Sequence, residues 1–340
     1  MIYTDLGYIE IEDSDLKNLS VLFGGRGLGK TYSVLKHRIV NSLNDPNQKF
    51  IWMRDSQEVV KKIAAGNSLA SPICQNEPKL PNITIERING NYCFVADFKG
   101  ENEQILGYLM ALSTFHNARG ISYEDVSCIV WDEFIPEEHE RLIKEEATAF
   151  FNAYESINRN RELEGITPVQ AFCFSNSNTL DNALFVKLGI VDKVERMSRT
   201  GKTVWTDEKR GLCVILLSDS PISTRKGNTA LYRLTAGTDF ANMALKNEWA
   251  FDETDGTVSR PLTEYRPIVA VGDITIYKHK SNGSFYTSTH RTGSPPAFGG
   301  SSTEIARFRR AFSWLWTEYM CRNIEFESRL SEILLTKYLC

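Results

Sequence analysis

Paired cysteine motifs are missing from this chain. Its seven cysteines (Cys74, Cys93, Cys128, Cys173, Cys213, Cys321, Cys340) are odd in number and scattered, with no C-x-x-C pair. That spacing argues against a zinc site and a disulfide framework and fits a reducing compartment. The first residues lack a charged-then-apolar leader, and no apolar run approaches the ~18 residues that span a bilayer. The expectation is a soluble intracellular protein with no membrane partner. Charge of one sign is also scarce: 39 Lys and Arg stand against 43 Asp and Glu, a formal net charge of −4. General basicity therefore cannot drive nucleic-acid binding. The imbalance that exists is local, since residues 257–340 carry 11 basic and 7 acidic side chains, which leaves −8 for residues 1–256. Internal repeats and low-complexity tracts are absent as well. What remains is 340 residues with 42% apolar content, enough for about two domains with real cores.

One stretch organises the rest. Val21-Leu22-Phe23 reads as a buried strand, and it runs into Gly24-Gly25-Arg26-Gly27-Leu28-Gly29-Lys30-Thr31 before a helical pattern begins. This is G-x-x-x-x-G-K-[ST] between a strand and a helix, the context in which it marks a phosphate loop. Glycines let the backbone turn tightly and aim several N–H groups at one phosphate chain. The following helix points its positive end at the same anion. Lys30 is placed to reach the β- and γ-phosphates and Thr31 to hold Mg²⁺, so the expected ligand is a nucleoside triphosphate such as ATP with Mg²⁺. Arg26, inside the loop, is open between a cis contact to the γ-phosphate and a solvated position.

The second half of the site is Cys128-Ile129-Val130-Trp131-Asp132-Glu133, an apolar strand ending in two carboxylates. Asp132 suits a Mg²⁺ ion held through water, and Glu133 suits polarising the attacking water. A glutamate beside the metal aspartate favours a hydrolytic motor over a small-molecule kinase. Asn176, in Ser175-Asn176-Ser177-Asn178 after the strand predicted over Val169–Phe174, is suited to sense the γ-phosphate. An ordinary Asn–Ser turn competes with that reading. Arg54, closing the strand Lys49–Arg54, is open between an ion pair and a phosphate contact. Arg119 and the Arg159-Asn160-Arg161 run are candidates for arginines that serve a neighbouring subunit.

Strands alternating with helices imply a mostly parallel sheet covered on both faces, an α/β P-loop NTPase of the ASCE type. Asn89-Gly90 between two apolar runs predicts a tight hairpin. The texture changes after about Arg199, so the domains are expected at 1–198 and 231–340, joined by a linker or hinge over 199–230. The second domain is expected to begin with a hairpin, Ile268–Val271 with Ile274–Tyr277, and to be helical from Thr303 onward. Its basic residues Lys278, Lys280, His290, Arg291, Arg307, Arg309 and Arg310 are the expected polyanion face.

Four blocks, FGGRGLGKTY, LSTFHNARG to IVWDEF, INRNRE and CFSNS, occur in an order and spacing that resemble the DNA-packaging motor ATPases of small podoviruses. This is the Picovirinae encapsidation protein family, compact relatives of the large terminases. The resemblance covers most of the chain. It implies a motor that moves double-stranded viral DNA into a preformed capsid as a homopentameric ring. Its expected partners are the portal vertex and a structural packaging RNA, and its setting is the host cytoplasm and the procapsid. By resemblance Arg26 is the phosphate-loop arginine, Glu133 the catalytic glutamate and Arg159 the arginine finger, while Arg119 lies where the family has a second trans-acting basic residue. The resemblance also implies a small α+β C-terminal domain like a ribonuclease H-type nuclease that has lost its carboxylates. Two other readings stay open: a terminase-like enzyme with a working metal-dependent nuclease, and a nucleotide-dependent assembly switch.

Overall fold

The computed structural model describes residues 2–3, 8–11, 16–24, 27–118, 123–135, 145–176, 180–217, 227–238 and 257–340. These divide into two compact units, one drawn from 1–187 with 196–250 and the other from 188–195 with 251–340.

The first unit is built on a nine-stranded sheet. After the short pair β1 (Ile2–Tyr3) and β2 (Ile9–Glu10) come β3 (Leu19–Gly24), β4 (Lys49–Arg54), the hairpin β5 (Ile83–Ile88) and β6 (Asn91–Ala96), and β7 (Gln104–Ala111). They are followed by β8 (Val126–Asp132), β9 (Gln170–Ser175), β10 (Val204–Asp207) and β11 (Leu212–Leu217). The order across the sheet is β10-β11-β3-β9-β8-β4-β7-β6-β5. From β11 to β7 every neighbour is parallel, and antiparallel pairs occur only at the two flanks. Parallel strands covered on both faces should read as unbroken apolar runs. Val21, Leu22, Phe23, Ile129, Val130 and Trp131 are all fully buried. Between the strands lie α1 (Lys30–Asn44), α2 (Gln57–Gly66), α3 (Ser71–Asn76) and α4 (Glu146–Asn158). The predicted hairpin forms at Asn89-Gly90, both residues having positive φ (50° and 86°), as the tight turn requires.

The expected linker over 199–230 needs correction. After α5 (Ala183–Leu188) and α6 (Val191–Thr200), residues 204–217 return to the sheet as β10 and β11. β11 pairs in parallel with the phosphate-loop strand, from Leu212 opposite Leu19 to Leu217 opposite Gly24. The polar brackets around LCVILL made it resemble a domain edge, yet that run is buried throughout. Residues 218–226 of that expected linker lie outside the described residues.

The second unit does not begin at 231 either. The short helix α7 (Ala230–Leu234) groups with the first unit, while residues 188–195 group with the second. A physical reason for the latter is that Asp192 Oδ1 accepts from the Leu330 amide at 3.2 Å. This unit holds a five-stranded mixed sheet in the order β15-β12-β13-β14-β16. The strands are β12 (Tyr265–Val271), β13 (Ile274–His279), β14 (Phe285–Ser288), β15 (Ala297–Phe298) and β16 (Ile324–Phe326), with helices α8 (Ser302–Ala311), α9 (Trp314–Met320) and α10 (Arg329–Leu339). The tail is therefore not wholly helical. Ile324 and Phe326 bury themselves as a strand parallel to β14.

Candidate active site

Several expected residues converge at the C-terminal ends of the central parallel strands. β9 lies between β3 and β8, with Phe23 opposite Ser175 and Asp132 opposite Phe174. Gly24, Asp132 and Asn176 therefore share one edge of the sheet. Gly24 is compelled by packing, because a Cβ there would collide with the Leu217 carbonyl oxygen. Gly29 caps α1 in the left-handed region (φ 79°), and a Cβ there would stand 2.8 Å from Cδ1 of Tyr8. Leu28 is fully buried, and its carbonyl accepts from the Ile9 amide at 3.1 Å. Gly27 also has positive φ (75°). Lys30, only 3% exposed, donates from Nζ to the Gly24 carbonyl at 2.9 Å. Thr31 is the second residue of α1 and half-buried. Gly25 and Arg26 lie outside the described residues, as does Arg119.

The acidic half is held by a cation the sequence left undecided. Asp132 is 1% exposed, and its Oδ2 accepts from Arg54 at 2.9 Å and from the Trp52 indole at 3.3 Å. Arg54 also pairs with Glu133 Oε2. Burial pushes the Asp132 carboxyl up to about 6, Arg54 opposes that rise, and the Glu133 charge adds to it. Burial works against the Arg54 charge, but Asp132 and Glu133 outweigh it and its pKa is raised. Glu133 is a non-glycine residue at φ 60°, held there because its amide donates to the Phe174 carbonyl at 2.8 Å. The second oxygen of Asp132, Oδ1, is buried without a hydrogen-bond partner among the described residues. An orphaned carboxylate oxygen at the same strand ends as a buried lysine and the glycine loop fits a hard cation held with phosphate oxygens.

Asn176 follows β9 at this edge and is half-buried. Arg159 is elsewhere. It caps α4 with φ 48° and is exposed, its Nε donating to the Ser156 carbonyl at 3.3 Å. The preceding residue, Asn158, accepts from the amide of Val169, just before β9 begins. Arg159 thus stands at the opposite edge of the sheet, about 20 Å of strand away from the phosphate loop. Arg161 is committed within its own chain, donating to the carbonyls of Tyr123 (2.8 Å) and Glu124 (3.0 Å).

Sequence reading missed the site's supporting carboxyls. Asp55 Oδ1 accepts from the Trp131 indole at 3.0 Å. Glu146, 5% exposed at the start of α4, has its carboxyl pushed up to about 7 by burial and by the nearby Asp55 charge. No pattern of spacing announces a lone glutamate that folds inward. Because its folded value lies above the ordinary 4.5, its contribution to stability is full below about 4.5 and is lost as pH rises through about 7. Glu146→Gln should therefore flatten that decline and leave the protein about 1–2 kcal/mol more stable above pH 7. Denaturation midpoints of both proteins at pH 5 and pH 8 check this, and equal differences at the two pH values would refute it.

A phosphate-loop strand separated from its acidic strand by one further parallel strand, in a mostly parallel sheet interleaved with helices, defines a P-loop NTPase fold of the ASCE type. A family model described as Podovirus DNA encapsidation protein (Gp16) matches residues 12–271, and the chain belongs to that family. The DNA packaging protein of Bacillus phage B103 is 28% identical over 236 residues, 69% of this chain and 65% of that protein. The DNA packaging protein of Bacillus phage phi29 is 25% identical over the same length, covering 63% of its own chain. The match thus spans just under two thirds of these relatives. In fold, the chain is similar to one in the bacteriophage Phi-29 viral genome packaging motor assembly, with TM-score 0.66 at 18% identity, covering 95% of this chain and 96% of that one.

Proposed function

We propose that this chain is an ATP-hydrolysing motor that drives double-stranded viral DNA into a preformed capsid, working as a homo-oligomeric ring, pentameric by family likeness. Support comes from membership of the encapsidation family and from relatives named as DNA packaging proteins. The observation that carries the reading is the convergence of Gly24, Lys30, Asp132 and Asn176 on one sheet edge while Arg159 stands at the other. In this reading each site is completed by Arg159 of the next copy.

In this reading the phosphate-loop amides and the buried Lys30 ammonium bind the β- and γ-phosphates of ATP. Thr31 and the orphaned Asp132 oxygen are the groups that would hold Mg²⁺, which supplies neutralisation of phosphate charge. Glu133 orients the attacking water, and Arg54 fixes Glu133 and Asp132 relative to each other. Asn176 reports the γ-phosphate from β9. Arg159 of one copy stabilises the charge developing at the next copy's γ-phosphate. DNA is gripped through its phosphates, because a motor must pass over any sequence. The capsid's portal vertex and a structural packaging RNA are the remaining partners, and the setting is the host cytoplasm and the procapsid.

The second unit serves docking to nucleic acid or capsid rather than cutting. Its carboxylates are spread and engaged: Glu325 with Arg260, Glu304 with Arg307, Glu332 with Arg329, and Glu327 with Ser288, Thr289 and His290. Its basic face is narrower than the sequence suggested. Arg309 donates to the carbonyls of Lys337 and Tyr338, and Lys280 to that of Thr263. Metal-dependent DNA cleavage by the full chain, lost on Glu327→Gln, would replace this reading with a working nuclease.

Lys30→Ala is expected to weaken ATP binding, whereas Glu133→Gln should bind ATP normally and hydrolyse it at least about 100-fold more slowly. Nucleotide titration together with phosphate release in the presence of DNA separates the two. Near-normal turnover in Glu133→Gln would move the catalytic role to another carboxylate.

A further inference from the structure

The short segment ahead of the phosphate-loop strand is a strap laced to the loop itself. Tyr8-Ile9-Glu10-Ile11 alternates exposed and buried, as a strand with one face on a core does. Ile9 and Ile11 are 1% and 6% exposed and share a core cluster with Leu28, Val34 and Leu35. The Ile9 amide donates to the Leu28 carbonyl at 3.1 Å. The Ile9 carbonyl accepts from the hydroxyl of Ser33, in the first turn of α1. With Ile9 locked inward, alternation leaves Tyr8 on the outer face. Its ring lies along Gly29, where a Cβ would stand 2.8 Å from Cδ1, 3.2 Å from Cβ and 3.3 Å from Cγ of the tyrosine. Glycine is thus required at 29 twice, by φ 79° and by the ring. The ring is 38% exposed, so an aromatic face is held beside the phosphate loop instead of being folded into the core.

We infer that Tyr8 is the platform on which the base of the bound nucleotide stacks, so that the strap, and not the loop, distinguishes a nucleotide from bare phosphate. The loop amides and Lys30 address phosphate alone. Asp132 and Asn176 stand on the β9 and β8 side of β3, which draws the γ end of a triphosphate that way. The α-phosphate and nucleoside then lie over the first turn of α1, the turn to which the strap is bonded through Ser33. The N–H and C=O of Ile9 are both spent on the loop and on α1, so Tyr8 meets a base with its ring face. Every base offers a π-face to such a ring, and a ring already fixed by its backbone loses little freedom when it is covered. This inference rests on the phosphate-loop reading proposed above.

The test titrates the full chain calorimetrically with ATP and, separately, with inorganic tripolyphosphate, both in the presence of Mg²⁺. Tyr8→Ala is expected to weaken ATP binding by about tenfold, the loss of one stacked base, and to bind tripolyphosphate as the unaltered chain does. Tyr8→Phe, which keeps the ring, should restore ATP affinity. ATP binding unmoved by Tyr8→Ala overturns the inference. An equal loss for both ligands does so too, because that is what a loop loosened by the missing ring would give. A Tyr8→Phe chain as weak as Tyr8→Ala overturns it as well, by assigning the contact to the hydroxyl. Failure of the phosphate-loop reading shows differently: the unaltered chain then binds neither ligand, and both readings fall together.

Discussion

Arg159→Ala is expected to bind ATP as the unaltered chain does and to lose turnover by about 10³-fold or more. The expectation rests on where the residue sits. Its α-helix begins beside the site, where Glu146 lies near Asp55, and ends 13 residues later at the far edge of the sheet. Thirteen residues of helix cover about 20 Å, which agrees with the strand count along β9. No side chain spans that distance, so Arg159 cannot help bind its own nucleotide. If Arg159 serves a neighbouring copy, as proposed, removing it should leave affinity intact and cost only stabilisation of that neighbour's transition state. Mixing makes the test decisive. An Arg159→Ala chain keeps Glu133, and a Glu133→Gln chain keeps Arg159, so a mixed ring contains sites in which both are present. Two inactive proteins should give a partly active mixture. A mixture that stays inactive while mixed rings demonstrably form would return Arg159 to the status of a surface charge.

The same geometry explains what was legible in the sequence. The phosphate loop, the acidic strand end and the Asn-Gly hairpin were readable because each needs particular residue types at fixed neighbouring positions. Glycine at 24 and 29, a carboxylate at the end of an apolar strand, and positive φ at residues 89 and 90 are local demands. The strands β10 and β11 were not readable, because nothing local in LCVILL says that it will pair with β3 nearly two hundred residues earlier. Ile324–Phe326 is too short for its alternation to separate it from the helices around it. The roles of Arg54 and Arg161 depend on which backbone or carboxylate the fold brings within reach, so the sequence offered only charged residues with open assignments. Glu325 and Glu327, in the tail expected to be helical from Thr303 onward, instead lie on and just after β16 and are tied to Arg260 and His290.

Arg54→Ala should destabilise the first unit by about 3 kcal/mol at pH 8, a loss expected when one partner of a buried ion pair is removed. Asp132 is nearly inaccessible, its Oδ1 is already without a partner, and Arg54 is the cation that answers its charge on Oδ2. Without the guanidinium, the Trp52 indole would be the one hydrogen-bond donor left on that carboxylate among the described residues. The sign of the pH dependence follows from Asp132. Its folded pKa is raised to about 6 above the ordinary 3.8, so its contribution to stability is full below 3.8 and is lost as pH climbs through the folded value. Deleting Arg54 removes the influence that lowers that value, so the carboxyl stays protonated to higher pH and the loss grows above 6. The gap between variant and parent should therefore be small near pH 5 and wide at pH 8. Denaturant midpoints at both pH values measure it. Asp132→Asn placed on Arg54→Ala keeps the shape and removes the buried charge, so it should recover most of the stability while leaving the site inactive. If the loss is the same at both pH values, or the asparagine recovers nothing, then Arg54 acts through packing of its stem and not by compensating Asp132.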